Sequence, residues 1–505
     1  MTIESYSHWL KRQDFTLTNA QLKKIEKEIL DEVRLLKDLS VSDQLLYLKK
    51  SEVKNFLTRY KEKNLSGHIH FAERMIWRPK GKADFRFIQP ELVLTRNEFT
   101  VDAYDIWGQK REKTFEPNDD YKTHWDILRT LVSRAPNNSS VGVNLAYLVI
   151  DKVTKQYLGI IRLSSAAFRI TSIFKDLGLT KDIQKEKNSK LNCVANGQTI
   201  VPTQPFGSAF LGGKLLSLLC LSKQVADDWE ENNGFKLASV HTTSLYGTET
   251  GTQYSGLTGY WNELPENSKG EAVVELSEDT YEHLKEYLRH IDPQKYWQLF
   301  HEKVDTGFNK VREVKGTALK SVYRRLGLSV TDYTNHAPRG VYSSHLYKNT
   351  REYLRGEINE SQLIPNFDNS IEALTDYWRF GEMGDTSSLV TSAYLNRLKK
   401  STTDLSPTIA LGRVNKSTAI DYVSQLKEKD ANFIPAKETK IELRNPEKKE
   451  GYRKRKKQLG MVKGRIDFKN QPLPTNIDWY LKLPTMTWDE IQTIYGNQFS
   501  ENKTD

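Results

Sequence analysis

The residues whose types and spacing suit chemistry fall into three groups along this 505-residue chain. The first is Gln204-Pro205-Phe206-Gly207-Ser208-Ala209, which follows the apolar run Thr199-Ile200-Val201 and precedes a helix-like segment from Phe210 to about Trp229. A loop that leaves a strand and opens a helix turns backbone N–H groups and the positive end of the helix dipole toward its occupant, so it suits an anion. Gly207 would let the backbone come close to a phosphate, and Ser208 would add a hydroxyl donor. Two common phosphate motifs fail here. Around Gly213-Lys214-Leu215 a Walker A loop would need glycine where Ser208 stands and a hydroxyl where Leu215 stands, and a dinucleotide fingerprint fails on its glycine spacing. A turn that only packs a helix onto a sheet is the plain alternative.

The second group lies just downstream. A β-favouring run from Leu237 to Thr243 contains His241 and leads into the glycine-rich stretch Tyr246-Gly247-Thr248-Glu249-Thr250-Gly251-Thr252-Gln253-Tyr254. Strand alternation points His241 away from Val240 and Thr242, which makes it a candidate general base or a satisfied core histidine. Glu249 is a second candidate acid or base, and equally a solvated loop residue. The third group is basic. Arg453-Lys454-Arg455-Lys456-Lys457, flanked by Lys448, Lys449, Lys463 and Arg465, suits sequence-blind, salt-dependent phosphate binding, with a solvated linker as the alternative. Arg339, Arg351 and Arg355 suit bidentate phosphate contacts, or pairing with Glu352, Glu357 or Glu360.

The six-residue loop fits Gln/Arg-x-x-Gly-x-Gly/Ala and so resembles the pyrophosphate loop of the GNAT superfamily of N-acetyltransferases. A hairpin before it, a helix after it and a later strand followed by a Gly-x-x-Tyr segment extend the likeness. The resemblance implies that Gln204, Gly207, Ser208 and Ala209 hold the pyrophosphate of an acyl-coenzyme A. It also implies that Tyr254 serves as general acid, since a phenol returns a proton to a thiolate leaving group. A wider resemblance covers roughly residues 140 to 357. Leu158-Gly159-Ile160-Ile161, the Pro202 to Gly213 segment, Asp228 to Phe235, Gly251 to Tyr254, Pro338 to Tyr342 and Leu346 to Gly356 look like the DruA family of the Druantia anti-phage systems of bacteria. Its core also resembles Mom-type, acyltransferase-like DNA-modification proteins. What this implies is an antiviral-defence component that binds or acts on nucleic acid, with DNA as a partner, alongside other proteins of the system, including a helicase-like one. The alternative is an acyl-coenzyme A-dependent group transferase unrelated to defence. Neither resemblance decides whether the chain is an enzyme.

These residues must be positioned by the elements around them. Leu22, Ile25, Ile29, Val33 and Leu36 recur at helical spacing behind Thr18, an N-cap that Gln21 completes as a capping box. A second helix is expected from near Ser42. Residues 69–114 are mixed and aromatic-rich, and His124 to Arg134 is a short amphipathic helix. Val141 to Ile150 and Tyr157 to Leu163 form a hairpin about a polar turn. Thr171 to Lys190, Leu276 to Lys303, Lys310 to Leu326 and Leu363 to Lys400 read as largely helical. The expected fold is α/β: a GNAT-like mixed sheet core with helical N- and C-terminal flanks. Its expected parts are a helical region (1–65), the α/β core (66–270), a mostly helical domain (271–430), and a basic linker with a C-terminal cap (431–505).

Composition narrows the classes further. A formal charge of +10 and a pI near 9.1 permit nucleic-acid contact without requiring it. Two cysteines, Cys193 and Cys220, exclude a disulfide framework or thiolate zinc site. His68 and His70 share a strand face but lack further ligands, so no metal is expected. Met1 to Trp9 has no apolar core behind a basic lead, and no run reaches the length of a membrane span, so a cytoplasmic protein away from membranes is expected.

Overall fold

The helix announced by Thr18 begins where its capping chemistry places it. In the computed structural model Gln21 N–H donates to Thr18 Oγ1 (3.3 Å) and Thr18 N–H donates to Gln21 Oε1 (2.8 Å), closing both ends of the box. The structure describes residues 5–39, 41–63, 68–69, 72, 75–77, 87–95, 103–104, 110–111, 119–133, 143–166, 170–179, 188–203, 211–244, 252–302 and 311–380. Helix α1 is Tyr6–Lys11, α2 Asn19–Asp38 and α3 Val41–Glu62.

The centre is a seven-stranded, mostly antiparallel sheet. Its strands are β1 (Pro90–Thr95), β4 (Asn144–Asp151), β5 (Tyr157–Ser165), β6 (Val194–Pro202), β7 (Ser239–Ser244), β11 (Gly340–His345) and β8 (Asn262–Glu263), in that spatial order. The pairs β2 (Ala103–Tyr104) with β3 (Lys110–Arg111), and β9 (Glu271–Val273) with β10 (Thr334–His336), lie outside it. The predicted hairpin is β4–β5, turned by Asp151, whose carboxylate accepts from the N–H groups of Val153 and Thr154. Every neighbouring pair in the large sheet is antiparallel except β6 and β7.

Two helical layers cover this sheet. On one face α6 (Lys214–Leu219), α7 (Lys223–Asn233) and α13 (Ile371–Phe380) bury Leu215, Leu216, Leu219, Val225, Trp229, Leu374 and Trp378 against Tyr147, Ile161, Leu163, Val240 and Tyr342. On the other, α4 (Asp119–Val132) packs Trp125 and Leu128 on Leu148 and Ile160, while α5 (Thr171–Asp176) and α12 (Thr350–Arg355) pack Ile173, Tyr353 and Leu354 on Val194 and Val341. The single helix expected from Phe210 to Trp229 is two. Ser222 interrupts it as a new N-cap, accepting from Val225 N–H, and Gly234 ends the second in a left-handed conformation. The expected helix from Thr171 to Lys190 is also shorter: α5 stops at Asp176, and a 3-10 turn, Asn188–Cys193, leads into β6.

A second core is mostly helical, with Val274 and Leu276 of the segment after β9 joining it. It gathers Ile29, Val33 and Leu36 of α2 with Leu284 and Leu288 of α8 (Glu278–Ile291), Leu319, Val322 and Tyr323 of α10 (Val311–Arg325) and Tyr333 of α11 (Val330–Tyr333). Buried Glu32 fixes the register. It accepts from the N–H (2.6 Å) and hydroxyl (3.1 Å) of Ser277, the N-cap of α8, placing a carboxylate at that helix's positive end. α9 (Pro293–Trp297) and a π-turn (Gln298–Glu302) follow. No described helix is long and apolar enough to cross a membrane.

Gly159 decides how closely α6 approaches the sheet. A Cβ there would lie 2.2 Å from Leu216 Cδ2 and 2.7 Å from the Val201 carbonyl oxygen. Gly159→Val should therefore destabilise the protein by about 1–3 kcal/mol or more, read as a lower urea midpoint.

Candidate functional site

β6 and β7 are parallel neighbours for three residues only. Val194 faces Ser239, Ala195 faces Val240 and Asn196 faces His241, after which pairing stops although the strands continue to Pro202 and Ser244. The cause lies one strand away. Against β5, Arg162 opposes Thr199 while Leu163 opposes Gly197, so Gln198 is an extra residue and β6 carries a bulge. A bulge bends and twists its strand, and here it turns β6 away from β7. An opening between parallel strands at their carboxyl ends is where open α/β sheets bind ligands.

Side chains cross this opening. Thr242 donates to the Gly197 carbonyl at 2.7 Å. Gln253 Nε2 donates to the Ile200 carbonyl and to the Tyr254 hydroxyl, each at 3.0 Å. A Cβ at Gly213 would sit 2.0 Å from Gln253 Oε1, so any larger residue there would displace this amide. Tyr254 is 6% exposed, with its ring 5.0 Å from that of Trp261 and 4.9 Å from that of Tyr342. Burial pushes its phenol well above the ordinary range, so it is protonated at neutral pH and has a proton to give while its oxygen accepts from Gln253. Lys214, the first residue of α6, donates to the Ser255 carbonyl at 2.6 Å and brings a cation to the same face. Thr203 pins the end of β6 by donating to the Tyr157 carbonyl.

The opposite face is polar. Register places Asn196, His241, Ser343 and His345 on one side of adjacent strands, beneath α5. Asp176, at the end of α5, accepts from Ser343 Oγ at 2.6 Å, His345 Nε2 at 2.8 Å and Arg351 Nη2 at 3.0 Å, and its carbonyl accepts from Arg351 Nε at 2.6 Å. An ionised carboxylate has no proton to give, so His345 must be the donor. Burial alone would raise the Asp176 pKa, yet these partners lower it to about 2, with the His345 hydrogen bond the largest favourable contribution. His241 is 1% exposed, and burial takes its pKa down to about 4, leaving it neutral.

Two expected catalytic residues thus lie apart. Tyr254 sits with Tyr342 on the α6 face, whereas His241 shares the α5 face with Ser343, so the sheet separates the acid and base candidates. Arg351 is committed to Asp176, not to the glutamates weighed from sequence, and Arg355 is held by Glu357 at 2.6 Å. Arg339 immediately precedes β11 and lies beside Ser268, whose hydroxyl accepts its backbone N–H. Gln204, Gly207, Ser208, Ala209, Glu249 and Arg453 to Lys457 lie outside the described residues. On α10, Lys315 pairs with Glu275 and Arg325 with Asp292, as a solvated, ion-paired face does. No group of three His, Cys, Asp or Glu side chains among the described residues is arranged for a metal ion. Asp176, Ser343 and His345 escaped the sequence reading. The carboxylate and the imidazole are 169 positions apart, and neither lies in a motif.

Residues 114–356 match the family model of the Druantia protein DruA. That segment holds α4, every strand from β4 to β11, the β6–β7 opening and the Asp176 network. The DruA match supports both the family and a component of Druantia anti-phage defence, and it agrees with the resemblance carried by the 158–161, 202–213 and 251–254 segments. No curated protein and no solved structure matches the chain.

Asp176 has a folded pKa below its ordinary 3.8, so it stabilises the fold above about pH 4 and loses that contribution as pH falls through about 2. Asp176→Asn should cost about 1–2 kcal/mol at pH 7, after allowance for solvent screening, and the gap to the unaltered protein should close near pH 2. Chemical denaturation across that range is the measurement.

Proposed function

We propose that this chain is the component of a Druantia system that works at nucleic acid, with the β6–β7 opening as the binding site of an acyl-coenzyme A-like cofactor. The carrying observation is the parted pair of parallel strands with a protonated phenol at its wall. Beyond Asn196 and His241 the facing strand edges no longer pair with each other, and an extended, amide-bearing ligand can pair with such edges as an added strand does. The residues suit such a guest. Tyr254 supplies a hydroxyl proton, Lys214 supplies positive charge on the same face, and Gly213 keeps the entrance free of a Cβ. By sequence, Gln204, Gly207, Ser208 and Ala209 belong to the loop that would receive the pyrophosphate.

A bound cofactor of this class would supply an activated acyl group as a thioester. The chain's own part would be to orient it between β6 and β7 and to deliver the Tyr254 proton to the departing sulfur. Gln253 must let go of the Ile200 carbonyl for a guest to take its place, which makes this amide a gate. Nucleic acid would be held by Arg453 to Lys457, together with Arg339. Partner proteins of the system, a helicase-like one among them, would supply what this chain lacks.

The alternative of an acyltransferase outside defence is disfavoured by the DruA match, because the matched segment is the α/β core itself. A gene for a large helicase-like protein next to this one would weigh further against it.

Calorimetric titration of the full chain with acetyl-coenzyme A and coenzyme A should show binding that Gly207→Arg abolishes while DNA affinity stays unchanged. No binding by the unaltered chain would overturn the cofactor reading and leave a nucleic-acid-binding scaffold. Replacing Arg453 to Lys457 with glutamine should flatten the plot of log DNA affinity against log salt, by up to about 0.9 for each phosphate that is no longer neutralised. An unchanged slope would make that run a linker.

A further inference from the structure

The β6–β7 opening narrows toward the pair Asn196–His241, where the two strands meet, and the residues at that end set the size of what can enter it. Register puts Gly197 opposite Leu163 and Thr242 opposite Tyr342, and Leu163, Tyr342 and Ile200 all belong to the core on the α6 face. Gly197, Ile200 and Thr242 therefore turn to the side on which Tyr254 packs. Thr242 donates to the Gly197 carbonyl at 2.7 Å, and its hydroxyl is near enough to the Tyr254 phenol to oppose the push of burial on it. A Cβ on Gly197 would lie 2.9 Å from Ile200 Cδ1, 3.4 Å from Thr242 Cβ and 3.6 Å from the His241 carbonyl oxygen. The first contact alone is too short, and it is with the free end of a side chain. The space over Gly197 thus takes one methyl group once Ile200 Cδ1 turns aside. A second carbon would have to displace Ile200 or Thr242, both buried, and Thr242 is tied to β6. Gly197 is not in the left-handed conformation that would itself call for glycine, and a glycine inside a strand often marks the close approach of a ligand.

We propose that Gly197, Ile200 and Thr242 form an acyl pocket that admits a two-carbon acyl group and rejects longer ones, an inference that rests on an acyl-coenzyme A occupying the opening. A sulfur that receives the Tyr254 proton would lie within hydrogen-bond reach of that hydroxyl, and the acyl carbon would be one bond away from it. Thr242 and Gly197 are the next groups from Tyr254 toward the closed end of the opening. The methyl of an acetyl group would rest on the Gly197 Cα, against apolar carbon of Ile200 and Thr242, where any side chain at 197 would stand. A pocket closed this tightly discriminates, since one extra methylene is worth about 10–200-fold. Ile200 sets the limit, because its Cδ1 is the atom nearest the space and the one that must move.

Calorimetric titration of the full chain with coenzyme A and its acetyl, propionyl and butyryl thioesters tests this. The unaltered chain should bind the acetyl thioester about tenfold or more tighter than the propionyl or butyryl one. Ile200→Val removes Cδ1 and little else, so it should bring the propionyl thioester to within about threefold of the acetyl one. Equal affinity of the unaltered chain for all three thioesters would overturn the pocket while leaving the cofactor reading in place. Continued rejection of the propionyl thioester by Ile200→Val would overturn the assignment of the limit to Ile200. Absence of binding by coenzyme A and by every thioester would overturn the cofactor reading, and the pocket with it. Should Ile200→Val not fold, Gly197→Ala serves in its place. Its methyl fills the space, so it should weaken the acetyl thioester about tenfold or more beyond any loss for coenzyme A itself, and an equal loss for both would overturn the pocket.

Discussion

One extra residue in β6 sets the geometry on which the rest of the α/β core depends. The bulge at Gln198 lets β6 keep its pairing with β5 while leaving β7 after three residues. Had the two parallel strands stayed together, Ile200 would have given its carbonyl to β7 and Gln253 would have had no place. The parting instead exposes that carbonyl to a side chain, and a gap held by a side chain can be reopened at the cost of a hydrogen bond. Gly159 and Gly213 serve the same end by removing the atoms that would block α6 and Gln253.

The two faces of the sheet have taken different routes to order. The α6 face is packed by aromatic and aliphatic contact, with Trp261 anchored to the Ser217 carbonyl and Tyr254 wedged between Trp261 and Tyr342. The α5 face relies on a carboxylate. Asp176 joins α5 to β11 through Ser343 and His345, and to α12 through Arg351, so one side chain ties three elements. A charged tie of this sort is specific but conditional: it holds only while the carboxylate is ionised and every partner is in place.

Local chemistry was legible in the sequence, and distance was not. The Thr18–Gln21 box, the β4–β5 hairpin and the strand alternation that turns His241 from Thr242 were readable because each is decided within a few residues. The break at Ser222 was hidden, since a serine inside an apolar-periodic run looks the same whether it caps a helix or faces solvent. The early end of α5 had a local signal that the sequence reading passed over: Gly178, two residues after Asp176, takes the left-handed conformation that ends helices. Tyr254 and His241 sat close together in the sequence, yet register turns His241 toward α5 while Tyr254, in the turn after β7, packs on Tyr342 of the other face. The Asp176 network was beyond reach, because nothing local reports that a carboxylate on α5 will meet an imidazole on β11.

The helical core carries a consequence for how the chain is made. Ile29, Val33 and Leu36 leave the ribosome well before their partners Leu284, Leu288, Leu319 and Val322, which lie about 250 residues or more further along the chain. Through that interval the apolar stripe of α2 has only Leu39 and, from α3, Tyr47 and Leu48 of its cluster beside it, and closing so long a loop is entropically slow. The core around α2 is therefore completed late, once α8 emerges and the Ser277 N–H reaches the Glu32 carboxylate.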